Sequence, residues 1–277
     1  MHTSQARQHA HTRLRSVAGQ RWEFHYTAIS DVGRKREANE DYYLLHPDRQ
    51  LFVIADGMGG HSSGEVASRM TCETVAAYFD EADLPRRLGP ETGLQQSLQQ
   101  HLVQAIKIAN ASVFQEAVEN PARQGMGTTV VALTFCGDHA YWGHVGDSRL
   151  YRLRTDDLQP LTRDHSLLEQ TLDRQDFTEE ESAQFTENFP YKNVLTRAVG
   201  SRYVVDVDVD SAPLQNGDLF IMTTDGVHDV LGVDKLGELL VQHRPDWNDG
   251  CQAIVAETNH LGGPDNITAL CVEVRSR

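Results

Sequence analysis

The sequence has little of what would staple a chain, anchor it in a bilayer or lay it along nucleic acid. It contains four cysteines, Cys72, Cys136, Cys251 and Cys271, and none forms a C-x-x-C pair. That excludes a disulfide scaffold and a zinc ribbon, and reads as buried thiols in a reducing compartment. No apolar run approaches the roughly 18 residues of a membrane-spanning helix. No H-E-x-x-H string, internal repeat or low-complexity linker is present. Basic residues are outnumbered 25 to 40, for a formal charge of −15, which argues against nucleic acid and anionic membranes as partners. What remains is an ordinary globular balance, 39% hydrophobic and 23% charged over 277 residues. A single domain of that length can bury about three quarters of its unfolded surface.

The first twenty residues carry Arg7, Arg13 and Arg15 without an acid and lack the apolar stretch of a secretion signal. Residues 1–22 are expected to be a flexible tail, with a small basic docking arm as the sharper alternative. Residues 23–277 are expected to form one domain of a cytoplasmic, monomeric protein. Short β-branched or aromatic runs bounded by Gly, Asp, Asn or Pro predict strands at 24–29, 51–55, 128–135, 139–145, 149–153, 204–209, 219–223 and 267–274. Apolar residues at three and four spacing predict helices at 64–79, 94–118 and 247–260. Consecutive strand runs between 128 and 153 favour antiparallel hairpins over βαβ units, so the fold class is α+β and layered. Residues 165–192 are charged with scattered apolar positions. They read as a solvated connection or as a flap over a site, and Thr178 with Glu180 and Glu181 marks a short helix start.

Aspartate recurs where strand runs end. Asp56 closes LFVIADGMGG, Asp147 closes YWGHVGDSR, Asp225 closes LFIMTTDGV, and Asp265 in PDNIT precedes the run from Ile267. Each alone reads as a turn, since Asp-Gly is a common turn pair. Together, at the ends of strands that share a sheet, they fit a shared hard cation, because Mg2+ and Mn2+ take carboxylate, carbonyl and water oxygens. Two such ions are a recurrent device in phosphate-ester hydrolysis, with Asp56 the natural bridging group. In REANED, Arg36 offers a permanently charged fork for a phosphate dianion, and Glu40 and Asp41 could hold metal-bound water.

With SDVGRKREANED, ADGMGGHSSGEVAS, MGTTVVAL, VGDSRLY, LTRDHSLL, NVLTRAVG, TTDGV and PDNIT in this order, the chain resembles the type 2C metal-dependent serine/threonine protein phosphatases in their compact bacterial form, over about 27–274. The resemblance implies a central β-sandwich of two antiparallel sheets flanked by pairs of helices, with a metal cleft at one end and a flap at 165–192. It implies Mn2+ or Mg2+ as cofactor, two principal ions and a third weaker one. Asp56 would bridge the two ions and the Gly57 carbonyl would also ligate. Asp225 and Asp265 would hold the first ion, Glu40 would reach the second through water, and Asp147 would join Asp225 at the third. Arg36 would bind substrate phosphate, Asp41 would orient metal-bound water, and the nucleophile would be a bridging hydroxide with no covalent phosphoenzyme. The position after Asp-Gly, often histidine in eukaryotic members, is Met58, and a thioether supplies no proton. His61 stands as the candidate acid beside metal-bound water, or else structures its loop. Arg149 and Arg197 read as holding loops through carboxylates. The implied partners are phosphoproteins bearing phosphoserine or phosphothreonine, and a serine/threonine kinase that the enzyme opposes. A binding module without turnover would have lost the acids, which are all present, and a two-metal nuclease would want a basic groove.

Overall fold

A computed structural model of the chain describes residues 9–13, 21–59, 63–84 and 94–277. In chain order the strands are β1 (His9–Arg13), β2 (Trp22–Asp31), β3 (Asp41–His46), β4 (Leu51–Met58), β5 (Gly127–Thr128), β6 (Val130–Cys136), β7 (His139–Val145), β8 (Arg149–Arg154), β9 (Asp157–Pro160), β10 (Asp208–Pro213), β11 (Leu219–Thr223) and β12 (Ile267–Ser276). The helices are α1 (Ser63–Glu81), α2 (Leu94–Glu119), α3 (Leu167–Leu172), α4 (Glu179–Asn188), α5 (Asp225–Gln242) and α6 (Trp247–His260). One antiparallel sheet runs β1-β2-β12-β11-β8-β9, and the other runs β10-β7-β6-β4-β3 with β5 paired to β4.

The near-continuous apolar runs are explained by burial on both faces, with alternate residues serving different layers. On β4, Leu51, Val53 and Ala55 pack with Ala67, Val75 and Phe79 of α1 and with Leu102 and Ile106 of α2. Their neighbours Phe52 and Ile54 turn the other way, into a core between the sheets that also holds Phe24, Phe135, Trp142, Phe220 and Val272. On β11, Phe220 and Met222 enter that same inter-sheet core. Leu219 and Ile221 face Val227 and Leu236 of α5 and Trp247 and Ile254 of α6. The result is helix pair, sheet, sheet, helix pair, the sandwich that the resemblance implies.

The expected strands lie inside observed ones, with two exceptions: the expected strand 128–135 is split between β5 and β6 at Thr129, and the second is displaced along the chain. The alternating YVVDVDVD run predicts a strand over 204–209, but β10 spans Asp208–Pro213. Its ladder on β7 starts at Asp208 opposite His144, and β7 ends one residue later, so 204–206 has no strand to pair with. The run 139–153 is not a hairpin either: β7 and β8 belong to different sheets. The chain crosses at Gly146, whose φ of +106 and whose approach to Thr129 leave no room for a side chain; a Cβ there would lie 2.6 Å from the threonine Cγ2. Helix α5 was not expected, because Gly226, Gly232 and Gly237 weaken the pattern and Gly232 breaks the helical dihedrals. Strands β3 and β9 were also not expected. Within the segment expected as a tail, His9–Arg13 pairs antiparallel with β2, and β2 itself begins at Trp22.

Residues 165–192 fold as two helices on a stapled base. Leu167 N donates to Val194 O (2.7 Å) and Thr196 N to His165 O (2.8 Å). Thr178 and Glu181 form a reciprocal capping box that starts α4. The scattered aromatics of this segment pack on one another, Phe177 with Phe185 and Phe185 with Phe189 at a tilt, and Phe189 edge-on to Tyr191.

Candidate metal centre

The β3–β4 ladder places Asp41 directly opposite Asp56. Asp41 is buried, and its Oδ2 accepts from Thr224 Oγ1 (2.8 Å) and Thr268 Oγ1 (2.7 Å) at the ends of β11 and β12. One carboxylate oxygen therefore ties the two sheets together at this end of the sandwich. The other, Oδ1, is buried without a partner, as is Asp225 Oδ1. Asp225 sits at the first position of α5, directly after β11. Asp147 occupies the β7–β8 crossing, held from below by Ser148 Oγ on Thr129 Oγ1 (2.7 Å), while Thr129 Oγ1 also accepts the Asp56 N–H (2.9 Å).

Asp265 and Arg36 come from opposite ends of the sequence. Arg36 Nη2 donates to Asp265 Oδ2 at 2.6 Å, with half of the arginine side chain exposed. The loop carrying Arg36 and Glu40 is organised by Asn266. Its Nδ2 donates to Val32 O (3.0 Å) and Ala38 O (2.9 Å), and its Oδ1 accepts the Glu40 N–H (2.8 Å). Glu40 Oε1 accepts the Gly64 N–H at the start of α1 (3.2 Å). Strand β4 and helix α1 touch here backbone to backbone, since a Cβ on Gly57 would lie 2.1 Å from Gly64 O. That contact explains why both positions are glycine.

A cleft of about 500 Å³ is lined by Arg36, Glu40, Asp56, Gly57, Asp147, Asp225 and Asp265, among others. The structure thus brings together every residue expected at the site except two. Asp41 lies behind the lining, on Asp56, and His61 falls outside the described residues. Met58 is at the cleft wall. Asn266, Thr224, Thr268 and Thr129 are the residues that sequence reasoning missed. PDNIT and TTDGV contain three of them, but only their hydrogen bonds show what they do.

The carboxylates are under electrostatic stress. Burial pushes the Asp41 carboxyl up to about 7 against its two hydroxyl bonds, with Asp225 and Asp265 adding repulsion. Asp147 is pushed up to about 8 by burial and by Asp225 and Asp164. Asp225 rises to about 6 through burial and Asp265. Asp56 stands well above the usual range, through burial and then Asp41 and Asp225. Burial also raises Glu40. Groups so arranged either hold protons or neutralise one another through a cation. The donor set is all oxygen, and two buried oxygens lack partners, which fits a hard divalent ion.

A second grouping, His144, His165 and Asp208, brings ligand-type atoms within 4.8 Å of one another. Its hydrogen bonds argue against a metal. Gly146 N donates to His165 Nδ1 (3.1 Å), so the ring proton of the neutral imidazole is on Nε2, which meets Asp208 Oδ2 at 3.2 Å. A metal on Nε2 would have to displace a proton that Nδ1 cannot take up. The Arg197 guanidinium already supplies the cation, donating to Asp208 Oδ1 at 2.5 Å. Arg149 likewise clasps Asp164 with two bonds, at 2.8 and 2.6 Å. Both arginines hold loops, as the sequence reading expects.

Residues 33–260 match the family model described as Protein phosphatase 2C. The chain belongs to the protein phosphatase 2C family. It is thereby an enzyme, a serine/threonine protein phosphatase of bacterial type, and the family is metal-dependent. It is similar to the serine/threonine phosphatase stp of Listeria innocua, at 33% identity over 88% of this chain and 93% of that protein. Among solved structures it is similar to the catalytic domain of the serine/threonine phosphatase PstP in complex with two manganese ions, with a TM-score of 0.77 and 29% identity over 92% of this chain and 100% of that one. It is also similar to PppA of Pseudomonas aeruginosa, a regulatory component of a type VI secretion system (T6SS), with a TM-score of 0.74 and 31% identity over 91% and 97%. No helix among the described residues of this 2C phosphatase is long and apolar enough to cross a membrane.

Proposed function

We propose that this chain hydrolyses phosphoserine and phosphothreonine in proteins at the Asp56–Asp225–Asp265 cleft, using two divalent ions, Mn2+ or Mg2+, and a weaker third. The observation that carries the assignment is the set of buried carboxylates with raised pKa and unpartnered oxygens around one cleft. Asp56 would serve both principal ions with the Gly57 carbonyl as a further ligand, Asp225 and Asp265 would hold the first, and Glu40 the second through water. Asp147 with Asp225 would take the third. Bound, such ions supply a nucleophilic water at neutral pH and draw charge from the phosphoryl oxygens.

The chain's own residues do the rest. Arg36 is poised on Asp265 with its guanidinium half exposed, so it can turn to a phosphate dianion in the cleft and make charge-assisted bonds. Asp41, fixed through Oδ2 by two threonine hydroxyls, presents Oδ1 as the acceptor that orients water. Met58 cannot protonate the leaving alcohol. That proton comes from solvent in the cleft or from His61.

The phosphoproteins are read as products of a serine/threonine kinase whose signal this enzyme reverses. PppA's place in T6SS regulation is one such setting. Four free cysteines, with the Cys251 thiol donating to the Cys271 sulfur at 3.4 Å rather than joined to it as a disulfide, suit the cytoplasm. The test is hydrolysis of p-nitrophenyl phosphate and a phosphothreonine peptide under Mn2+ titration. Chelator, Asp56→Asn and Asp225→Asn should each abolish turnover. Full activity in Asp56→Asn would sink the assignment.

A further inference from the structure

The loop after Gly200 carries an investment that a passive connection does not need. Asn110 of α2, 1% exposed, spends its whole side chain on it. Oδ1 accepts the Gly200 N–H (2.8 Å), and Nδ2 donates to Arg202 O (3.0 Å) and Tyr203 O (3.1 Å). Gly200 is pressed against the core, where a Cβ would lie 2.3 Å from a Val113 methyl. The backbone of residues 200–203 is therefore fixed from inside the domain, while its side chains point outward. Tyr203 is 74% exposed and Val204 66%, with the Tyr203 ring edge-on to Phe114.

Arg202 lines the same cleft as Asp56 and Asp225. The other arginines on that cleft are committed, Arg36 to Asp265 and Arg197 to Asp208. Arg202 has no carboxylate partner among the described residues. On this fixed backbone it is, among the described residues, a cation with no acidic partner at the mouth of a site otherwise dominated by acids, on a protein of net charge −15 that repels acidic substrates at a distance.

We propose that Arg202 is a specificity-determining residue that pairs with an acidic side chain flanking the phosphorylated residue of a protein substrate, with Tyr203 as the apolar contact beside it. This rests on the phosphatase reading and deepens it by naming the substrate class. The transferred phosphate belongs to Arg36, and Arg202 reads the sequence around it. An exposed ion pair of this kind is worth about two- to fivefold in discrimination.

The experiment compares phosphothreonine peptides of one sequence with glutamate, alanine or lysine at the flanking positions. Both kcat/KM with Mn2+ and binding by fluorescence anisotropy are measured, with p-nitrophenyl phosphate as a substrate that lacks flanks. The unsubstituted protein should favour a glutamate peptide over its alanine counterpart by about two- to fivefold. The ratio should fall to one in Arg202→Ala, and in Arg202→Glu the lysine peptide should be preferred. No preference in the unsubstituted protein, or a ratio unchanged in both variants, overturns the proposal. An equal loss on all peptides and on p-nitrophenyl phosphate also overturns it, by placing Arg202 on the phosphate itself or on the fold. Binding discrimination that depends on Arg202 in a protein that hydrolyses nothing would uphold the recognition and sink the catalytic reading.

Discussion

Replacing Asp147 by asparagine should make the metal-free protein more stable. The folded carboxyl is pushed from 3.8 to about 8, chiefly by burial and then by Asp225 and Asp164. A carboxyl whose folded pKa is raised contributes stability below its unfolded value, and that contribution is lost as pH rises through its folded value. For Asp147 the loss runs from about pH 4 to about pH 8. Four units at about 1.4 kcal/mol each set a ceiling of ~6 kcal/mol. Relaxation and water entry in an open cleft reduce this, and we expect ~2 kcal/mol. In a chain of 277 residues that is a rise in Tm of about 4–8 °C for Asp147→Asn at pH 8. The assay is thermal unfolding in chelator from pH 5 to pH 8.5. The variant's advantage should shrink towards pH 5, where the native carboxyl already holds its proton. Saturating Mn2+ should stabilise the unsubstituted protein more than the variant and flatten its pH dependence. A variant that is less stable in chelator by the same amount at every pH would refute the argument that these acids are held together at a cost.

Arg36→Ala should raise KM for p-nitrophenyl phosphate by about tenfold and lower kcat less, as expected for loss of a phosphate contact; steady-state kinetics decides. Asn266→Ala strands Val32 O, Ala38 O and the Glu40 N–H, so denaturant unfolding should show a loss of ~2–3 kcal/mol and calorimetry a weaker Mn2+ affinity. Gly64→Ala would put a Cβ 2.7 Å from the Gly57 carbonyl, forcing α1 away from β4 at a cost of ~2–3 kcal/mol, seen as a lower denaturation midpoint.

Much of the sandwich was legible because its strands are buried on both faces and punctuated by Gly and Asp. The run 219–223 coincides with β11, and the helix at 247–260 coincides with α6. Less legible was whatever depends on a partner strand or on a break inside a helix. The Val/Asp alternation at 204–209 has the period of a strand, but only Asp208 and Val209 pair with β7, which ends too soon to reach 204–206. Helix α5 is hidden by its own glycines. At the site, the acids announced themselves by recurring at strand ends, whereas Asn266 looked like any loop asparagine.

The sequence by itself determined the inventory: an acidic, unstapled α+β chain with oxygen ligands for a hard cation and one arginine suited to phosphate. Those facts are local, since residue type and neighbours decide them. Tertiary structure decided which acids share a cleft, because Asp56 and Asp225 are 169 positions apart and line the same cavity. It also decided that Arg36 and Arg197 are paired while Arg202 has no carboxylate partner among the described residues, and that a buried asparagine on α2 fixes the loop presenting it. Charge pairing and desolvation are properties of the assembled fold, where positions far apart in the chain come within a few ångströms.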